Sequence, residues 1–257
     1  MKVSLPRRIW RAVYPALLLF GIYLAVYIIA MLAWNSFFTG RFSSLDEFMA
    51  WAGDLVSIIA LAAGGIIMYL LYKRDYVVSP LKMFEHPKYI ISIILFAVLA
   101  SHGLSIGVSL VGSTGILGEY TQTAQMLSTS GAVLTLFKSV ILVPLAEELT
   151  FRGMVFRRME LYTSFWPAAL VSAALFGLYH MNLMQGIYAF IFGILMCLVY
   201  RTFRNLWATI IMHAVANACA VILQLTGLDY PNITVYVIVM AAALAAAGVI
   251  FFVNLRE

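Results

Sequence analysis

The chain has 257 residues, of which 64% are hydrophobic and only 11% charged. A soluble domain carries about 25% charged residues, so there is too little polar surface here to wrap a soluble core, and the bilayer must be the solvent. The net charge of +5 does not point to nucleic acid, because the basic residues stand singly or in small groups at the ends of apolar runs, where membrane topology puts them.

The apolar runs are long and continuous rather than short and alternating, which favours helices over a barrel. A basic head (Lys2, Arg7, Arg8, Arg11) precedes the first run, Tyr14 to Trp34. This run is longer than the core of a signal peptide and lacks a small-x-small cleavage site, so it reads as a span. The spans predicted in chain order are 14–34, 52–72, 89–111, 134–156, 165–182, 184–200, 206–226 and 233–254. The boundary at 182–184 is a tight turn, and Pro231 and Asn232 mark another before the last span.

Threading these eight spans with the N-terminus inside sends Lys73, Arg74, Lys82, Lys88, Arg157, Arg158, Arg201, Arg204 and Arg256 to the cytoplasmic side and only Arg41 to the outer side. The Lys/Arg bias therefore places both termini in the cytoplasm. The fold class expected is an all-α polytopic transmembrane helical bundle. Asp54 falls at the outer interface, and Lys138 is expected to snorkel from the outer end of the fourth span. Segment 112–133 is polar, with Glu119 as its charge. Asn232-Ile-Thr234 fits a glycosylation sequon. Cys197 and Cys219 lie in apolar runs and read as small packing residues. His86 reads as solvated in a basic loop, and His102 as structural.

Ionisable residues inside spans are costly and invite a functional question. The fourth span contains Pro144-Leu145-Ala146-Glu147-Glu148-Leu149-Thr150-Phe151-Arg152. Glu148 and Arg152 are four residues apart and can pair, whereas Glu147 points about 100° away without a built-in cation. Such a carboxylate is a candidate general base or acid. Pro144 removes a backbone hydrogen bond just before the pair. The fifth span carries Phe176-Gly177-Leu178-Tyr179-His180, and the seventh carries His213 and Asn217, again four apart. The last two could present donors to an oxyanion, or the histidines with a glutamate could hold a metal. At 1.5 Å per residue, Glu147 lies roughly 15 Å from Arg157, His213 roughly 13 Å and Asn217 roughly 20 Å from Arg204, and His180 roughly 22 Å from Phe165. All four fall at interior depth.

Glu147-Glu148-x-x-x-Arg152, Phe176-x-x-x-His180 and His213-x-x-x-Asn217, in this order on successive spans, resemble the three motifs of the CPBP intramembrane endopeptidases. That family includes the type II CAAX prenyl proteases and the bacterial Abi proteins linked to bacteriocin self-immunity. The resemblance covers about residues 130–220. It implies three parts: residues 1–130 with spans one to three and an outer loop, 131–226 as the catalytic helical core, and 227–257 as the last span and tail.

The resemblance further implies hydrolysis of a peptide bond in a membrane-associated protein or peptide. Glu147 and His180 would activate water, His213 and Asn217 would stabilise the oxyanion, and Glu148, Arg152 and Phe176 would support them. The family has been described both as metal-dependent and as a metal-free glutamate protease. Glu147, His180 and His213 would supply three zinc ligands, but no H-E-x-x-H motif is present, so the cofactor is zinc or none. The alternatives are a binding-only immunity protein or an ion-coupled transporter. Against the latter, no inverted repeat is visible. The short loops suit a bacterial plasma membrane.

Overall fold

The computed structural model describes residues 4–75, 87–113, 132–226 and 232–255. Lys2, Lys82, His86, Glu119, Pro231 and Arg256 lie outside the described residues. Among the described residues the structure is all helical, with eight rods. They are α1 (Leu5–Ala33, continued by a wide π-type turn Trp34–Phe38), α2 (Leu45–Arg74), α3 (Pro87–Ser113), α4 (residues 132–160), α5 (Phe165–Tyr179), α6 (Leu183–Phe203), α7 (Leu206–Thr226) and α8 (Ile233–Ile250, continued by Phe251–Leu255).

Six of these helices are long and apolar enough to cross a bilayer on their own: α1, α2, α3, α6, α7 and α8. The other two predicted spans differ. The fifth is shorter than expected, because α5 stops at Tyr179 and its 15 residues cover about 22 Å. The fourth is a rod of alternating character, with wide-turn segments Phe137–Leu142 and Leu149–Phe156 on either side of the α-helical Val143–Glu148. Pro144 has no amide hydrogen to donate to the preceding turn. Beyond it, the Thr150 hydroxyl donates to the Ala146 carbonyl at 2.7 Å, competing for the acceptor that a regular turn would use.

Local sequence sets the helix ends. Ser44 caps α2 by accepting from the Glu47 amide at 3.2 Å, and Glu47 in return accepts from the Ser43 amide at 2.7 Å. Asp46 and Glu47 in the first turn and Lys73 and Arg74 in the last complement the helix dipole. The tight turn expected near 182 is present: Met181 adopts a left-handed φ of 53°, and Asn182 caps α6 by accepting from the Gln185 amide at 3.0 Å. Asn232, read as part of a sequon, uses its side-chain oxygen to cap α8 through the Val235 amide at 3.1 Å.

The bundle turns large apolar side chains outward and shelters its few polar side chains within a largely apolar core. Leu24, Leu32, Ile66 and Val249 are 51–62% exposed, whereas Glu148, Thr150, Arg152 and Ser172 are fully buried. An apolar exterior with sheltered ions is what a hydrocarbon solvent requires, and the chain is an integral multi-pass membrane protein.

Charged residues gather the rod ends. Arg158 on α4 pairs with Asp75 after α2 at 2.7 Å and donates to the Arg11 carbonyl of α1 at 2.7 Å. Arg204, after α6, reaches Glu160 of α4 at 2.7 Å. These ends therefore share one side of the bundle. At the other side, Lys138 and Asp54 form an ion pair at 2.7 Å. The snorkelling lysine and the interfacial aspartate expected at the outer ends of their spans thus meet each other.

α4 runs through the middle, flanked by α1, α2, α5 and α7, while α3 and α8 pack together on the far side of α6 and α7. α5 and α6 approach closely through glycines. A Cβ on Gly177 would come within 2.7 Å of the Gly186 carbonyl oxygen, so backbone replaces side chain at that contact.

Candidate active site

Glu147 and Glu148 come from the α-helical turn of α4, one wide turn before Arg152. Despite the irregular helix, the expected pair forms: Arg152 Nη1 donates to Glu148 Oε1 at 2.7 Å, with both side chains fully buried. Two buried ions cost several kcal/mol each to desolvate, so the surroundings must compensate. The Arg152 guanidinium lies over the Phe176 ring, 4.4 Å from its centroid, a cation–π contact made stronger by the dry site. The Cys197 thiol lies against Arg152 and Ser172. Gly193 makes room: a Cβ there would come within 2.9 Å of Arg152 Nη2.

α7 completes the acid pair. His213 Nδ1 faces the same Glu148 oxygen at 2.9 Å, and its Nε2 lies 3.7 Å from Glu147 Oε2. A carboxylate can only accept, so Nδ1 carries the proton and Nε2 is turned toward Glu147. Glu147 Oε2 is buried and has no hydrogen-bond partner. An unsatisfied buried carboxylate oxygen is uncommon and calls for an explanation.

His180 stands at the C-terminal end of α5. Its Nδ1 donates to the Phe176 carbonyl at 2.8 Å, which leaves Nε2 as an acceptor. Phe176 is the hub between the motifs, with its ring 5.0 Å from His180 and 5.8 Å from His213, centroid to centroid, as well as under Arg152. Asn217 donates one amide hydrogen to the Ser139 carbonyl of α4 at 2.8 Å. Its second amide hydrogen is not used by that bond. The wide turns of α4 bring further ties: the Ser172 hydroxyl donates to the Phe151 carbonyl at 2.9 Å.

The seven residues singled out in the sequence thus lie on α4, on α7 and at the C-terminal end of α5, with Phe176 touching Arg152, His180 and His213. Glu147, Glu148, Arg152 and His213 form a connected polar cluster, with His180 linked through Phe176 and Asn217 tied separately to the Ser139 carbonyl. Ser139, Ser172, Gly193, Cys197, Tyr23 and Tyr179 were not singled out. No spacing marks them, because their contacts to the site come from neighbouring helices or from remote turns of α4.

The donor set does not fit a metal. Among the described residues, no three His, Cys, Asp or Glu side chains converge on a point that could hold an ion. His180 and His213 each commit Nδ1 to a protein oxygen and keep Nε2, an arrangement that metal ligands also use, but their Nε2 atoms do not converge with Glu147 on one point. No step below is routed through a metal.

Residues 129–219 match the family model described as Type II CAAX prenyl endopeptidase Rce1-like. Over 186 residues the chain is 28% identical to the Bacillus subtilis (strain 168) protein named Putative membrane peptidase YdiL, covering 70% of this chain and 75% of that protein. No solved structure matches.

Proposed function

From the premise that this chain belongs, through residues 129–219, to the CPBP family of membrane peptidases, we propose that it is an intramembrane endopeptidase. Its substrate would be a membrane-embedded or membrane-associated peptide, cleaved by water activated at Glu147. The observation that carries this reading is Glu147 Oε2, a buried carboxylate oxygen with no hydrogen-bond partner, 3.7 Å from His213 Nε2. A group held in that state at interior depth has the reach to take a proton from water.

The proposed sequence runs as follows. A water beside Glu147 gives a proton to Oε2, with His180 Nε2 as a second acceptor that orients it. The hydroxide attacks the carbonyl carbon of the scissile bond. Negative charge develops on the carbonyl oxygen, where an Nε2–H of His213 and the second amide hydrogen of Asn217 would donate. When the C–N bond breaks, Glu147 returns its proton to the departing nitrogen. Glu148 and Arg152 hold His213 in its orientation rather than touching substrate.

The test is cleavage of a membrane-peptide library by purified protein in proteoliposomes. Glu147→Gln, which keeps shape and removes the basic carboxylate, is expected to lower turnover by about 10²–10⁴-fold while the protein keeps its melting temperature. Wild-type turnover by that variant would overturn the assignment. A wild type that binds peptides without cleaving any would indicate a binding-only protein.

A further inference from the structure

α1 lies outside the matched residues 129–219, yet it packs along the wide-turn segment of α4 and carries Tyr23. Tyr23 meets Tyr179 of α5 edge to face, with ring centroids 6.0 Å apart and planes at 89°. Their hydroxyls lie near each other, and both lie within electrostatic range of the Glu147 carboxylate. Tyr179 is also edge-on to His180 at 6.0 Å. One turn along α1, the Tyr27 and Ser57 hydroxyls bond at 3.3 Å. The remaining rings near Tyr179 are those of Phe20 and Phe151, at 6.5 and 5.6 Å, which offer no partner.

Two phenols carry two O–H donors and several lone pairs. A bond between the two would use one donor and leave the other for a ligand. Both side chains are half-buried, so the pair is within reach of a ligand. A peptide can be hydrolysed only where its backbone is extended enough for water to reach the carbonyl. In hydrocarbon, extension strips the flanking amides of their internal hydrogen bonds, and they must find others. We propose that the Tyr23–Tyr179 hydroxyl pair is a substrate-positioning contact, which hydrogen-bonds a backbone amide of an extended membrane peptide lying across Glu147. The inference rests on the peptidase reading for its ligand class. It gives α1, through Tyr23, a part in a site otherwise built from residues 129–219.

The test compares Tyr23→Phe, Tyr179→Phe and the double variant with wild type, and with Tyr69→Phe on α2, an exposed phenol away from the site. Cleavage in proteoliposomes is expected to show KM raised about two- to tenfold, the worth of one hydrogen bond, with kcat within about twofold. The double variant should lose less than the product of the singles, because the two hydroxyls serve one contact. Tyr69→Phe should match wild type.

A second arm needs no turnover: binding of fluorescent library peptides to Glu147→Gln, with and without Tyr23→Phe, where the expected loss of affinity is again about two- to tenfold. Binding that weakens in this way, even if wild type cleaves nothing, supports the contact and counts against the peptidase reading alone. Wild-type cleavage with unchanged KM in all three variants overturns the contact alone, as does a fall confined to kcat. A protein that neither binds nor cleaves any peptide overturns both.

Discussion

Removing Arg152 should strand the Glu148 carboxylate in a fully buried site, and the structure allows the cost to be worked out. Both side chains have no exposed surface, and Nη1 to Oε1 is 2.7 Å. Breaking one side of such a pair costs about 3–5 kcal/mol, and Arg152→Met also forfeits the Phe176 ring contact at 4.4 Å, worth about 1–2 kcal/mol, although the methionine recovers part of it by packing. For a chain of this size, each kcal/mol moves the melting temperature by about 2–4 °C, so Arg152→Met should melt about 6–20 °C lower. Replacing both charges, in Glu148→Gln with Arg152→Met, removes the stranded ion. The double variant should therefore be more stable than Arg152→Met by at least about 2 kcal/mol. Thermal unfolding in detergent, followed by circular dichroism, checks both numbers. An Arg152→Met protein melting within about 3 °C of wild type, or a double variant no better than the single, would refute the view that the buried pair organises this core.

Other expectations follow from the same contacts. Asn217→Ala should lose the tie to the Ser139 carbonyl, about 1 kcal/mol of stability, and about 10²–10³ in kcat if its second amide hydrogen meets the oxyanion; a large stability loss with unchanged kcat would make it purely structural. Gly193→Ala should push on the Arg152 guanidinium, since the new Cβ would sit 2.9 Å from Nη2, and cost about 1–3 kcal/mol in the same melting assay. Gly177→Leu should block the α5–α6 contact at 2.7 Å and reduce the yield of folded protein in detergent, while Gly248→Leu, with open space around it, should not. A double-mutant cycle on Lys138 and Asp54, each under one-fifth exposed, should return about 1 kcal/mol or less of coupling; a value near that of the buried pair would mean the outer end is as dry as the core.

The positions of the rods and of the charged turn are legible in the chain itself. Long apolar runs must be helical in hydrocarbon, because each backbone group needs a partner within its own segment. The i,i+4 spacing brings Glu148 to Arg152 whatever the rest of the bundle does. The places where the reading fell short share a physical cause. Regular helix arithmetic cannot foresee the wide turns of α4, which arise when Pro144 withholds a donor and Thr150 takes the Ala146 carbonyl. Nor can it foresee that α5 stops at Tyr179, where the His180 ring bonds back to the Phe176 carbonyl.

What sequence alone determined here is the solvent, the helical class and the chemical inventory of Glu147, Glu148, Arg152, His180, His213 and Asn217, since each follows from local composition and spacing. What only the tertiary structure decided is who meets whom: His213 on Glu148, Asn217 on the Ser139 carbonyl, Lys138 on Asp54, Gly193 beneath Arg152, and Tyr23 beside Tyr179. Those partners lie on different helices, and which faces of two rods meet is fixed by packing around a shared polar core, to which no periodicity along one rod gives access.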